Sequence, residues 1–259
     1  MNVAVVTGAA GDIGVAIANA LAGAGMRLAL LDKDDEALDR AADGLRGAGA
    51  LVTHHRCDVT DRADIATAAE RISTDGTVSV LVNNAGGITS ASLQSTSAED
   101  WHRDIALNLD AAFMVFKAFE APLVEASGSV VNIASVNAAG VYGHPGYSSA
   151  KAGLVHLTEF MAVEYGRHGV RANAVAPGTV ATQAWQERAA RNPDVLEAAR
   201  RWYPLKRIAT PQDVANAVAF LVSPAASAIT GTCLPVDCGL SAGTTALAAT
   251  FSQSPDFDG

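Results

Sequence analysis

Apolar residues along the chain fall into short unbroken runs, separated by longer stretches where they recur every three or four positions. The runs fit strands buried on both faces, and the three-to-four spacing fits amphipathic helices. Strands are therefore expected at 2–7, 28–31, 51–59, 78–83, 129–134, 170–176 and 232–236. Helices are expected from Ile13 through Ile17, Leu21 and Ala24, then at 35–47, 61–73, 98–125, from Tyr147 to about 168, and at 211–221. Alternating strand and helix predicts right-handed βαβ crossovers, and hence an α/β fold: a doubly wound parallel sheet in three α/β/α layers. A single domain over 1–240 is expected, followed by a loosely structured Ser/Thr/Ala/Gly-rich tail, 241–259.

Such sheets hold ligands beyond the carboxyl ends of their strands. Gly8, Asp32, Asp58, Asn84 and Ser135 all fall at those ends. Between the first strand and the first helix runs Gly8-Ala-Ala-Gly11-Asp12-Ile13-Gly14. Glycines there let the backbone approach a pyrophosphate, and the helix N-terminus favours the anion. Asp32 ends the second strand, eighteen residues after Gly14. An acid at that place accepts from both ribose hydroxyls and repels a 2′-phosphate, which favours NAD over NADP. The other reading of Asp32 is a helix N-cap for the segment starting near Asp34. Lys33 is a counter-signal, since a cation could meet a 2′-phosphate.

Composition narrows the class. Nearly half of the 259 residues are apolar (49%), ample for one large core, and the formal charge of −9 argues against nucleic-acid or anionic-membrane partners. Cys57, Cys233 and Cys238 have no redox or zinc-ligand spacing, so a reduced cytoplasmic setting is expected. No apolar run reaches the ~20 residues that span a bilayer, and the strand-like start leaves no room for a signal peptide. His54-His55 has no carboxylate motif beside it, so no metal is expected, and His144 reads as loop surface.

Tyr147 and Lys151 stand four residues apart at the start of a helix, so both heads share one face. A nearby ammonium favours phenolate by Coulomb attraction, which would bring the tyrosine into range as an acid or base near neutrality. Ser135, after the run Val130–Ala134, puts a hydroxyl at a strand end.

Together these residues resemble the short-chain dehydrogenase/reductase family, whose domain is a Rossmann fold. The matching pieces are Thr7-Gly8-x-x-x-x-Ile13-Gly14, Asp58-Val59, Asn83-Asn84-Ala85-Gly86 and Asn108. They continue with Ser135, Tyr147-x-x-x-Lys151, Asn173-x-x-x-Pro177-Gly178 with Thr182, and Asp213-Val214-Ala215, so the likeness covers about residues 2–239. Asp12 departs from it, because the family usually has glycine there; an acid beside a pyrophosphate must turn outward or cap a helix. The resemblance implies that Tyr147 moves the substrate proton, Lys151 tunes it and holds the nicotinamide ribose, Ser135 binds the reacting oxygen and Asn108 holds a water. It further implies that Asp58 and Val59 edge the adenine, that Asn84, Ala85 and Gly86 border the ribose, and that Pro177, Gly178, Val180 and Thr182 hold the nicotinamide amide. It also implies a homotetramer packed through the 98–125 and 147–168 helices.

The family keeps a mobile lid where this chain has about residues 183–207. That segment holds Trp185, Trp202, Tyr203 and the cations Arg188, Arg191, Arg200, Arg201, Lys206 and Arg207. It reads either as a solvated helix pair bridged to Glu187, Asp194 and Glu197, or as a grip on an anionic or polyhydroxylated substrate through Arg200, Arg201 and Trp185, with Asn137 facing the same substrate. The runs Trp202–Leu205 and Leu234–Asp237 look similar to members acting on sugars and polyols. The expected activity is an NAD-dependent oxidation of a secondary alcohol. A ketone or 3-oxoacyl reductase is the rival enzyme, and a non-catalytic nucleotide sensor the rival from another class.

Overall fold

The computed structural model describes residues 2–192 and 194–257, without the side chains of residues 184, 188 and 195–197. β1 (Asn2–Thr7), β2 (Arg27–Asp32), β3 (Val52–Arg56) and β4 (Thr77–Asn83) alternate with α1 (Asp12–Gly23), α2 (Asp35–Gly47) and α3 (Arg62–Ser73). Next come α4 (Ala98–Ile105), a π-helical turn (Ala106–Asp110) and α5 (Ala111–Glu125), then β5 (Ser129–Ile133), α6 (Pro145–Tyr165) and β6 (Arg171–Pro177). α7 (Gln183–Arg191), α8 (Asp194–Arg200), α9 (Pro211–Val222), β7 (Cys233–Val236) and α10 (Thr245–Ser252) complete the chain. Every strand pair is parallel, in the order β3-β2-β1-β4-β5-β6-β7. The order reverses between β1 and β4, which opens a crevice at their carboxyl ends.

Successive β1 side chains point to opposite faces, so one strand serves two cores. Val3 and Val5 pack with Ile65, Ile72, Val115, Phe119 and Met161 of α3, α5 and α6. Ala4 and Val6 pack with Ile17, Leu21, Leu38, Leu45 and Val214 of α1, α2 and α9. Leu21 is wholly buried, and truncating it to alanine removes about 2–5 kcal/mol. Polar residues fix where helices begin: Asp34 accepts from Ala37 N at 3.0 Å, and Thr210 and Asp213 cap α9 reciprocally.

Four expectations need correction. The third strand stops at Arg56 rather than 59, because Cys57 to Val59 leave the sheet and line the crevice. The 98–125 helix is continuous but widens into a π-helical turn at Ala106–Asp110, where the Asn108 side chain donates to Asp104 O (2.9 Å) and Gly87 O (2.8 Å). α6 starts at Pro145, whose missing N–H suits a first helical position, and gives way to a 3-10 turn after Tyr165. The tail is less loose than its composition suggests, since Thr244 caps α10. Among the described residues no helix is long and apolar enough to cross a membrane.

Candidate active site

A cavity of about 700 Å³ opens over the carboxyl ends of β1, β2 and β4. It is lined by Gly8, Asp12, Ile13, Gly14, Asp32, Asp58, Val59, Asn84, Ala85, Gly86 and Thr182, all singled out from sequence, together with Lys33 and Arg103. The glycine turn is folded tightly: a Cβ on Gly14 would stand 2.2 Å from Gly8 O. The amides of the first turn of α1 lack helical acceptors, which suits an anion at this end of the cavity. Asp32 Oδ2 accepts from Ala10 N (3.0 Å) and Oδ1 from Asp34 N (3.1 Å), so its carboxylate steadies the loop from the cavity wall. The cap of α2 is Asp34 itself, so the alternative reading of Asp32 as that cap fails. Asn84 Nδ2 donates to Thr7 O and Gly8 O, which ties β4 to the turn. Asp58 accepts from the backbone and hydroxyl of Thr60, and those bonds hold its carboxyl below the ordinary range. These residues fit a dinucleotide: a cradle for pyrophosphate at one end and acceptors for ribose hydroxyls at the other.

A second cavity, about 840 Å³, is lined by Ser135, Asn137, His144, Tyr147, Gly178, Thr179, Trp185, Trp202, Tyr203 and Thr244 among others. Gly86, Asn108, Lys151 and Tyr147 form a chain of neighbours that leads from the first cavity to the second. Gly86 lines the first cavity, and a Cβ there would lie 2.9 Å from Asn108 Oδ1 and 3.5 Å from Lys151 Nζ. Lys151 Nζ donates to Ile133 O at 2.6 Å and stands 5.5 Å from the centre of the Tyr147 ring, which faces the second cavity. Ser135 Oγ donates to Asn137 Oδ1 (3.3 Å) and accepts from Asn137 N (3.2 Å), at the end of β5 and beside the second cavity. Asn108 is only 1% exposed, with both sides of its amide engaged.

Desolvation dominates the electrostatics here. Burial pushes the Tyr147 phenol up, the Ser135 hydroxyl opposes this, and the charge of Asp104 adds to the rise. Lys151, 3% exposed, is pushed down by burial from 10.5 to about 8. The expected acidification of the phenol by its ammonium neighbour is therefore absent. Burial is the largest cause of the rise, so the phenol is a held proton donor until further positive charge reaches the site.

Several expected residues lie elsewhere. Arg200 and Arg201 do not line the second cavity: both are exposed, and the Arg201 guanidinium sits over the Trp202 ring at 4.7 Å. Pro177 ends β6, while Val180 is buried and bridges to Ala209. Asn137 lines the cavity, yet its amide donates to Gly143 O and Ser148 Oγ, which braces the loop. Of the salt bridges considered for 183–207, those of Arg188 and Glu197 lie outside the described residues. Arg207 pairs with Asp213 at 2.6 Å.

Sequence reasoning missed Asp104. It is 1% exposed, Oδ1 accepts from Thr89 N at 3.1 Å, and Oδ2 has no hydrogen-bond partner among the described residues. Its spacing of four from Asn108 on one helix face was the available signal. His144 was read as loop surface, but it is half-buried, lines the cavity and donates from Nδ1 to Ser90 O. Thr244, in the supposedly loose tail, also reaches the cavity. Among the described residues no cluster could hold a metal.

A family model described as Enoyl-(Acyl carrier protein) reductase matches residues 8–241. The chain is 38% identical over 251 residues to 2-(S)-hydroxypropyl-CoM dehydrogenase 3 of Xanthobacter autotrophicus, covering 93% of this chain and 97% of that one. It is 38% identical over 241 residues to galactitol 2-dehydrogenase (L-tagatose-forming) of Cereibacter sphaeroides, covering 91% and 93%. A crystal structure of a short chain dehydrogenase/reductase family oxidoreductase from Burkholderia thailandensis superposes with TM-score 0.91 at 44% identity, covering 98% of each chain.

Proposed function

Because the chain belongs to the short-chain dehydrogenase/reductase family, we propose that it is an NAD-dependent dehydrogenase. It would oxidise a neutral secondary alcohol, a polyol or a sugar, to the ketone or lactone. The observation that carries this reading is the chain of neighbours Gly86, Asn108, Lys151 and Tyr147 that leads from the glycine-loop cleft to a second cavity. Asp32 on the cleft wall favours a free ribose hydroxyl over a 2′-phosphate. Among the described residues no Lys, Arg, Asp or Glu lines the second cavity, which favours a neutral substrate over an anionic one. Its likeness to galactitol 2-dehydrogenase supports a polyol.

When bound, the oxidised nicotinamide supplies the hydride acceptor. Ser135 would hold the alcohol oxygen, and the Tyr147 oxygen would take the hydroxyl proton as the carbon loses its hydride. Lys151, beside the ring, stabilises the phenolate needed for that step. Asn108 is a positioning residue, fixing the Gly87 backbone beneath the site through its paired bonds. Trp185 and Trp202 would wall the substrate.

Hydride transfer measured with NAD and with NADP over polyols, sugar acids and simple alcohols tests the reading. Neutral polyols with NAD should be turned over best, and Tyr147→Phe should lower kcat by roughly 10²–10⁴ while NAD binding stays within a few-fold. A Tyr147→Phe variant retaining a tenth of parental turnover refutes the acid/base assignment. Lys33, on the cleft wall, favours one rival: activity confined to NADPH and 3-oxoacyl substrates would select the reductase instead.

A further inference from the structure

Asp12 stands where the resembled family has glycine, in the loop proposed to cradle the pyrophosphate, and it lines that cleft. Its carboxylate turns outward. Oδ2 accepts from Gln183 N at 2.7 Å, across 171 residues of sequence. Gln183 is the first residue of α7, so its amide is one that the helix leaves without an acceptor. The chain before it runs Val180, Ala181, Thr182, pinned to Ala209 by paired backbone bonds, and Thr182 O accepts from both Trp185 N and Gln186 N. Asp12 is thus an N-cap for α7 supplied by another element. It also lies in the first turn of α1, which has no side-chain cap of its own. One carboxylate therefore meets the positive ends of two helix dipoles, which offsets the disadvantage of an acid beside an anion site.

The contact joins both cavities. Asp12 and Thr182 line the dinucleotide cleft, and Trp185, two residues beyond Gln183, lines the other. We infer that Asp12 is a positioning residue: it docks the lid onto the glycine loop, so that the loop cradling the cofactor also sets Trp185 over the alcohol. This rests on the proposed reading of the two cavities and of 183–207 as a lid.

The test compares Asp12→Ala, Asp12→Asn and Gln183→Pro in the full chain without ligand. Asparagine caps about as well as aspartate, and proline is favoured at a first helical position while lacking the N–H. Amide exchange over 183–186 and tryptic cleavage after Arg191 report on docking of α7. Asp12→Ala should speed both roughly fivefold, the worth of one cap at an exposed helix start. Asp12→Asn should stay near the parent. Gln183→Pro should be cleaved as fast as Asp12→Ala, and the double variant Asp12→Ala/Gln183→Pro no faster than either. With NAD, Asp12→Ala should raise KM for the alcohol about as much. An Asp12→Ala lid that exchanges and is cleaved at the parental rate overturns the inference, as does additive loosening in the double variant. If the parent transfers no hydride, the dehydrogenase reading fails, while exchange and cleavage still decide the contact.

Discussion

Lysine 151 gives the sharpest quantitative test, because its ammonium is buried and its nearest opposing dipole is one backbone carbonyl. Burial lowers its pKa from 10.5 to about 8. Below pH 8 it is protonated whether folded or unfolded, so its contribution is constant. Between pH 8 and 10.5 the unfolded chain keeps a proton that the folded chain has released. Stability therefore rises with pH across this window, by about 3 kcal/mol in all. The perturbation is Lys151→Met, an unbranched replacement that fills similar space and does not titrate. It leaves Ile133 O without its donor, but that loss is independent of pH. Denaturant unfolding of both proteins from pH 7 to 10.5 isolates the effect, since titrations elsewhere cancel in the difference. The parent should gain on the variant by about 3 kcal/mol between pH 8 and 10.5, and the difference should be flat below pH 8. A flat difference over the whole range would mean that the ammonium titrates as in water, and the argument from desolvation would fail.

Two other substitutions probe the same site. Asp104→Asn removes a negative charge that helps hold the Tyr147 phenol up, so the phenol pKa should fall; the pH–rate profile for alcohol oxidation should move to lower pH, and a move upward or none refutes the coupling. Asp32→Ala deletes the acceptor for Ala10 N and Asp34 N along with the charge that disfavours a 2′-phosphate; the ratio of kcat/KM for NAD to that for NADP should fall at least tenfold, and an unchanged ratio would show that Asp32 does not select the cofactor.

What could be read from the sequence was local or periodic. The apolar runs at 2–7, 78–83, 129–134 and 170–176 gave strands within a residue or so, because a strand buried on both faces has no polar alternation to confuse it. Tyr147 and Lys151 were legible because one helical turn links them. Features made by distant chain segments were not. The π-helical turn within the 98–125 helix holds Asn108, whose side chain reaches Gly87 O, 21 residues away, and nothing in the intervening spacing announces it. Arg200 and Arg201 formed an inviting cluster by count, yet an arginine at a helix end is placed by packing, and here one lies on Trp202 instead of in the cavity.

The Tyr147–Lys151 pair shows most plainly where such reading stops. Spacing reports that two groups are close, which fixes the sign of the Coulomb attraction but not its size. Spacing does not report how much water each group loses, and that cost has the opposite sign for both. With Lys151 3% exposed, the burial of residues from β5 and α6 around it makes desolvation the larger effect, so the phenol rises and the ammonium falls. The direction of both shifts follows from the sheet and its covering helices, which no pair of residues encodes. If the Tyr147 phenol were to titrate well below 10 in the protein without ligand, the balance would lie with Coulomb attraction, and the site would be poised as a base before any cofactor arrives.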